Sequence, residues 1–165
     1  MRRSSTSAGW PWSAAVGLRC NASTTPTTSR LVVILPTCLA LVLCDRVGRQ
    51  RGTQKASPVG AFSTFDLRSF PGNTPPFAVW VQVTNAVGLL RLQLDFERAL
   101  PDRPEFEAIV SVLFTMRFSN SLTIGEYEAV LEHGIHLPAE GLYRVRLRLA
   151  EATILTRYIM ARQDH

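Results

Sequence analysis

Arg91-Leu92-Gln93-Leu94-Asp95-Phe96-Glu97 alternates polar and apolar side chains at every step. An extended backbone sends successive side chains to opposite faces, so Leu92, Leu94 and Phe96 share one side. Arg91, Gln93, Asp95 and Glu97 share the other, which reads as a strand with one wet face. Tyr143-Arg144-Val145-Arg146-Leu147-Arg148-Leu149 repeats the pattern, with Tyr143, Val145, Leu147 and Leu149 inward. Phe77 to Val83 is rich in aromatic and β-branched residues, and Cys38 to Val47 and Ile154 to Met160 read as further strands. Glu105 to Phe118 is harder. Phe106, Ala108, Val110, Val112, Phe114, Met116 and Phe118 are apolar at period two, yet Phe106, Ile109, Val110, Leu113 and Phe114 nearly make a helical stripe behind Pro104. The unbroken period-two match favours the strand; Glu126 to His133 carries the same ambiguity.

Breakers divide these segments. Gly48 to Thr53, Pro71 to Pro76 and Leu137 to Gly141 read as turns, and Asn85-Ala86-Val87-Gly88 as a hairpin connection. Seven or eight short strands at such spacing predict an all-β protein, an antiparallel Ig-like β-sandwich over residues 37–162.

Residues 1–36 differ in kind. They are rich in Ser, Thr and Pro, lack apolar periodicity, and predict a disordered basic tail. The tail holds Arg2, Arg3, Arg19 and Arg30 and no acid, so it accounts for four units of the +5 formal charge. The rest is near neutral, which argues against a nucleic-acid partner. Trp10 and Trp12 stand isolated there, and Asn21-Ala22-Ser23 is a glycosylation triplet, which has no meaning if the protein is cytosolic.

The run Leu31 to Cys44 is apolar but short for a membrane span, and Pro36 interrupts it. Its second half reads as a buried strand, which predicts no membrane partner and a cytoplasmic protein. The alternative is a signal core or anchor, and hence export. Three cysteines without a CxxC pair predict reduced thiols rather than a disulfide framework.

Cys38 to Val47, ending in Cys44-Asp45, is followed by Gly52-Thr53-Gln54-Lys55 and Ser57-Pro58-Val59-Gly60-Ala61-Phe62. This order resembles the opening of an uncharacterised bacterial domain-of-unknown-function family of small β-sandwich proteins. The likeness continues through Phe70-Pro71, Phe77 to Val83 with its Thr84–Gly88 turn, and Leu137-Pro138-Ala139-Glu140-Gly141-Leu142-Tyr143-Arg144, covering residues 38–160. Members usually carry Phe where Leu137 stands, and they begin close to the first strand, so residues 1–36 depart from the pattern. The resemblance implies a β-sandwich and a bacterial origin. It implies no reaction, cofactor or substrate.

Among candidate sites, Arg144, Arg146 and Arg148 share one strand face and form a possible interaction ridge, unless acids such as Glu126 and Glu128 neutralise it across strands. His133-Gly134-Ile135-His136 lacks further ligands at metal spacing, and no metal or cofactor is expected. Cys44-Asp45 with His133 is a remote nucleophile arrangement, and Glu105 and Glu107 read as solvating charge. Trp80, Phe77 and Tyr143 would make a carbohydrate platform if exposed, but read as core. With no P-loop, dinucleotide fingerprint or G-x-S-x-G, the reading is a non-catalytic module that binds an unknown protein partner. The alternatives are a small-ligand or carbohydrate-binding module, and an enzyme with an unrecognised site.

Overall fold

The computed structural model describes residues 35–164, so the readings made on Trp10, Trp12, Asn21-Ala22-Ser23 and residues 1–34 of the basic tail lie outside the described residues. Eleven strands follow in chain order: β1 (Thr37–Arg49), β2 (Ala56–Phe62), β3 (Thr64–Leu67), β4 (Gly72–Asn73), β5 (Phe77–Thr84), β6 (Gly88–Ala99), β7 (Phe106–Phe118), β8 (Gly125–Leu131), β9 (His136–Leu137), β10 (Gly141–Leu149) and β11 (Ala152–Gln163). A four-stranded sheet runs β2-β1-β5-β8 and a five-stranded sheet β3-β11-β10-β6-β7, while β4 and β9 form a small third pair. Pairing is antiparallel except between β11 and β3. This is an all-β, Ig-like antiparallel sandwich. Both segments open to a helical reading, 105–118 and 126–133, are strand over nearly their whole length.

The core lies between the sheets because each contributes its alternate apolar positions. Leu41, Leu43, Val79, Val81 and Val83 meet Leu92, Leu94, Phe96, Val145 and Leu147, all of them buried. Phe114 of the larger sheet stacks on Tyr127 of the smaller, with ring centroids 3.9 Å apart. Tyr143 is buried too, and its hydroxyl donates to the Ala139 carbonyl at 2.5 Å, tying the strand to its own entry turn.

Three expectations are corrected. Asn85 to Gly88 does not close a hairpin, because β5 and β6 belong to different sheets and the connection crosses between layers. The alternation in β7 also breaks. A bulge skips Ile109, so Phe96 faces Val110 while Glu97 faces Ala108 and Ala99 faces Phe106. Phe106 and Ala108 therefore lie on the outer face, opposite to Phe114, Met116 and Phe118. Finally, Asp95 and Glu97 sit on the face read as wet but are only 3% and 5% exposed.

The β1–β2 arm bends back over its own sheet. Glu126 pairs with Gln82, which in turn faces Ala40, nine residues before Arg49 in β1. A straight strand would put those two β1 positions about 30 Å apart, yet Arg49 Nη1 lies 3.6 Å from Glu126 Oε2. Trp80 alternates with the inward Val79 and Val81 of β5, yet it is only 8% exposed.

Candidate functional site

Strands β6 and β10 are neighbours, and their register sets Arg144 opposite Glu97, Arg146 opposite Asp95 and Arg148 opposite Gln93. The three arginines do form one ridge on the outer face of the larger sheet. Arg144 Nε donates to Glu97 Oε2 at 2.5 Å, and Arg146 Nη2 donates to Glu97 Oε1. Arg148 Nη1 donates to Asp95 Oδ2 at 3.3 Å, and its Nη2 to Glu151 Oε2 at 3.0 Å. The expectation that Glu126 and Glu128 neutralise the ridge is corrected: both lie on β8, in the other sheet. The partners come from β6, some fifty residues upstream of β10.

Asp95 and Glu97 are buried although no second sheet covers them. The aliphatic stems of Arg144, Arg146 and Arg148, which keep 20–24% of their own side-chain surface, shield them from water. Asp95 Oδ1 also accepts from Gln93 Nε2 and from Ser111 Oγ, each at 2.5 Å. Burial raises the Asp95 pKa, but the hydrogen bonds from Gln93, Ser111 and Arg148 and the Arg148 charge outweigh it, leaving the carboxyl below its ordinary value. Chemically the ladder is a set of carboxylates already engaged by guanidinium groups, an arrangement that fixes guanidinium positions.

Around the ladder stand side chains that the sequence reading did not single out. Arg144 Cζ lies 3.6 Å from the centroid of the Phe106 ring, which the β7 bulge turned outward. In the β10–β11 register Leu142 faces Met160 and Arg144 faces Tyr158. Leu142, Tyr158 and Met160 are exposed, Tyr158 by 55%. One signal for them is in the sequence, since Tyr158 and Met160 are two apart and must share a face.

The other candidates scatter. His133 and His136 are exposed, and His136 Nδ1 lies 3.0 Å from Asn73 Oδ1. Gly134 between them has φ +64°, and a Cβ there would meet the Thr74 carbonyl oxygen at 2.1 Å, so this turn requires glycine. Among the described residues no three His, Cys, Asp or Glu side chains gather as a metal site. Cys44 is buried with its thiol toward the Ala78 carbonyl at 3.7 Å, and burial raises its pKa, the direction opposite to an activated nucleophile. Burial likewise pushes Cys38 up to about 11. Trp80, Phe77 and Tyr143 are buried, so they offer no exposed platform. Glu105 and Glu107 are exposed.

Fold and face together define a small two-sheet β-sandwich with a cross-strand arginine–carboxylate ladder on one outer surface. Residues 39–160 match the family described as "Family of unknown function (DUF6941)", and the chain belongs to it. No curated protein matches the sequence. Among solved structures, β-glucosidase 3B from Thermotoga neapolitana in complex with α-D-glucose is similar at 16% identity and TM-score 0.39, over 61% of this chain and 16% of that one. β-D-glucoside glucohydrolase from Trichoderma reesei is similar at 11% identity and TM-score 0.41, over 79% of this chain and 19% of that one. The chain thus spans less than a fifth of either enzyme's length. No helix among the described residues is long and apolar enough to cross a membrane.

Proposed function

We propose that the protein is a non-catalytic cytoplasmic interaction module that docks another protein on the outer face of its five-stranded sheet. The observation that carries this reading is the group formed by Leu142, Tyr158 and Met160 around Arg144. Tyr, Met and Arg are the residue types enriched at the centres of protein interfaces. The ladder beneath holds Arg144 in place before any partner arrives, so binding costs little further ordering of that side chain. The buried thiol of Cys44 supports a reducing compartment.

The test compares proteins captured from the native cell by the full chain and by a Tyr158→Ser, Met160→Ser variant. Both residues are exposed, so the variant is expected to keep the fold, and an unchanged thermal unfolding midpoint checks this. A partner held by the parent and lost by the variant is the expected result. A partner held equally by both would refute this face as the docking surface.

A further inference from the structure

One end of the sandwich is apolar on its outside. There the β5–β6 crossing carries Val87, the start of β6 carries Leu89, and the β7–β8 loop carries Leu122 and Ile124. All four are more than half exposed, Leu122 by 88%. The two connections are bonded to each other: the Asn85 amide donates to the Ser121 carbonyl at 2.9 Å, and Thr84 Oγ1 to the Thr123 carbonyl at 3.1 Å. The loop is also braced from within. The Leu122 amide donates to Asn120 Oδ1 at 2.9 Å, and the Ser119 and Thr123 hydroxyls lie 2.9 Å apart. Leu122 therefore projects from a built turn.

Among the described residues the one acid beside this end, Glu126, is engaged by Arg49 at 3.6 Å and by Gln82 at 3.0 Å. Arg117 faces Leu89 and Arg91 faces Thr115 on the same sheet surface, both arginines are exposed, and neither has an ion pair among the described residues. No acid occurs in residues 84–91 or 115–125. The chain also enters the domain here: Thr37 pairs with Thr84, and Asn85 Nδ2 donates to the Leu35 carbonyl at 3.4 Å. In sequence, Arg30-Leu31-Val32-Val33-Ile34 leads directly into that position.

We propose that this end contacts an anionic lipid bilayer, with Val87, Leu122 and Ile124 entering the interface and Arg91 and Arg117 meeting lipid phosphates. Aliphatic side chains on protruding loops beside unpaired cations suit that surface, where apolar burial and attraction to anionic headgroups act together. A protein partner is favoured less, because these loops carry no aromatic or methionine anchor at an exposed position. A second copy is favoured less as well, since a tip-to-tip pair would bring like charges together. The inference takes up the anchor alternative for the Leu31–Cys44 run. The structure assigns Thr37 onward to β1, and Leu31 to Ile34 lie outside the described residues.

Co-flotation of the full chain with phosphatidylcholine vesicles, with and without phosphatidylglycerol, tests this. The expected result is flotation with the anionic vesicles, reduced at least tenfold in a Val87→Ser, Leu122→Ser, Ile124→Ser variant. An Arg91→Gln, Arg117→Gln variant should lose the preference for anionic lipid. A parent chain that stays unbound, or a triple variant that floats like the parent, would overturn the proposal; the second result would assign binding to another part of the chain. Should the triple variant unfold, a Leu122→Cys chain in a Cys20→Ser background, carrying an environment-sensitive dye, decides instead. Blue-shifted emission on adding anionic vesicles supports insertion, and unchanged emission refutes it.

Discussion

The inner and outer faces of β6 and β10 exclude water by different means. Inside, Leu92, Leu94, Val145 and Leu147 are fully covered by the opposing sheet. Outside, Asp95 and Glu97 are nearly as buried, but by the arginines of the adjacent strand and without a covering layer. The first arrangement gains from apolar area removed from water. The second must offset the desolvation of two carboxylates with charge-assisted hydrogen bonds, so its net contribution is smaller while its hold on geometry is tighter. Burial alone does not rank the two faces; the chemistry of what is buried does.

The inner face should show the largest effect. Leu94→Ala is expected to cost about 2–5 kcal/mol in urea unfolding, because the opposing sheet collapses only partly into the space. Glu97→Ala should cost less, about 1–3 kcal/mol, since Arg144 and Arg146 can turn toward water once released. If Glu97→Ala proved the more damaging of the two, the ranking of the faces would be reversed.

Acid offers a sharper view of the outer face. Asp95 is held below its ordinary pKa, so it binds its proton more weakly folded than unfolded. Its contribution is then present above the unfolded carboxylate value of about 4 and is lost as pH falls through the lower folded value. Melting curves of Asp95→Asn and the parent should differ at neutral pH and converge toward pH 2. Curves that stayed parallel down to that pH would show that Asp95 gains nothing from its partners. The smallest effect belongs at the margin. Glu151 is 98% exposed, and Glu151→Gln should leave the unfolding midpoint unchanged within error even though Arg148 contacts it.

Much of this architecture is legible in the sequence because period-two alternation is a local property. The strands around Leu92–Phe96 and Tyr143–Leu149, and the inward set of each, follow from it directly. What failed was what alternation does not encode. One extra residue at Ile109 reverses the phase of a strand, and apolar identity at 106 and 108 gave no hint of it. Nor does a turn such as Asn85–Gly88 state whether the chain returns to its own sheet or crosses to the other. The arginine ridge was visible as three residues at spacing two, yet its partners were misassigned to β8. Pairing of β10 with β6 is a tertiary fact, and acids on either strand would satisfy the same charge pattern. Leu142, Tyr158 and Met160 went unremarked because only strand order shows that they surround Arg144.

A double-mutant cycle between Arg144 and Glu97 tests the β6–β10 register and its ladder most directly. Arg144→Ala, Glu97→Ala and the pair together should unfold in urea with a coupling of about 1 kcal/mol or more, as expected of groups sharing a hydrogen-bonded ion pair. Additive losses, with no coupling beyond error, would mean that the two side chains do not meet and that the outer face is built differently.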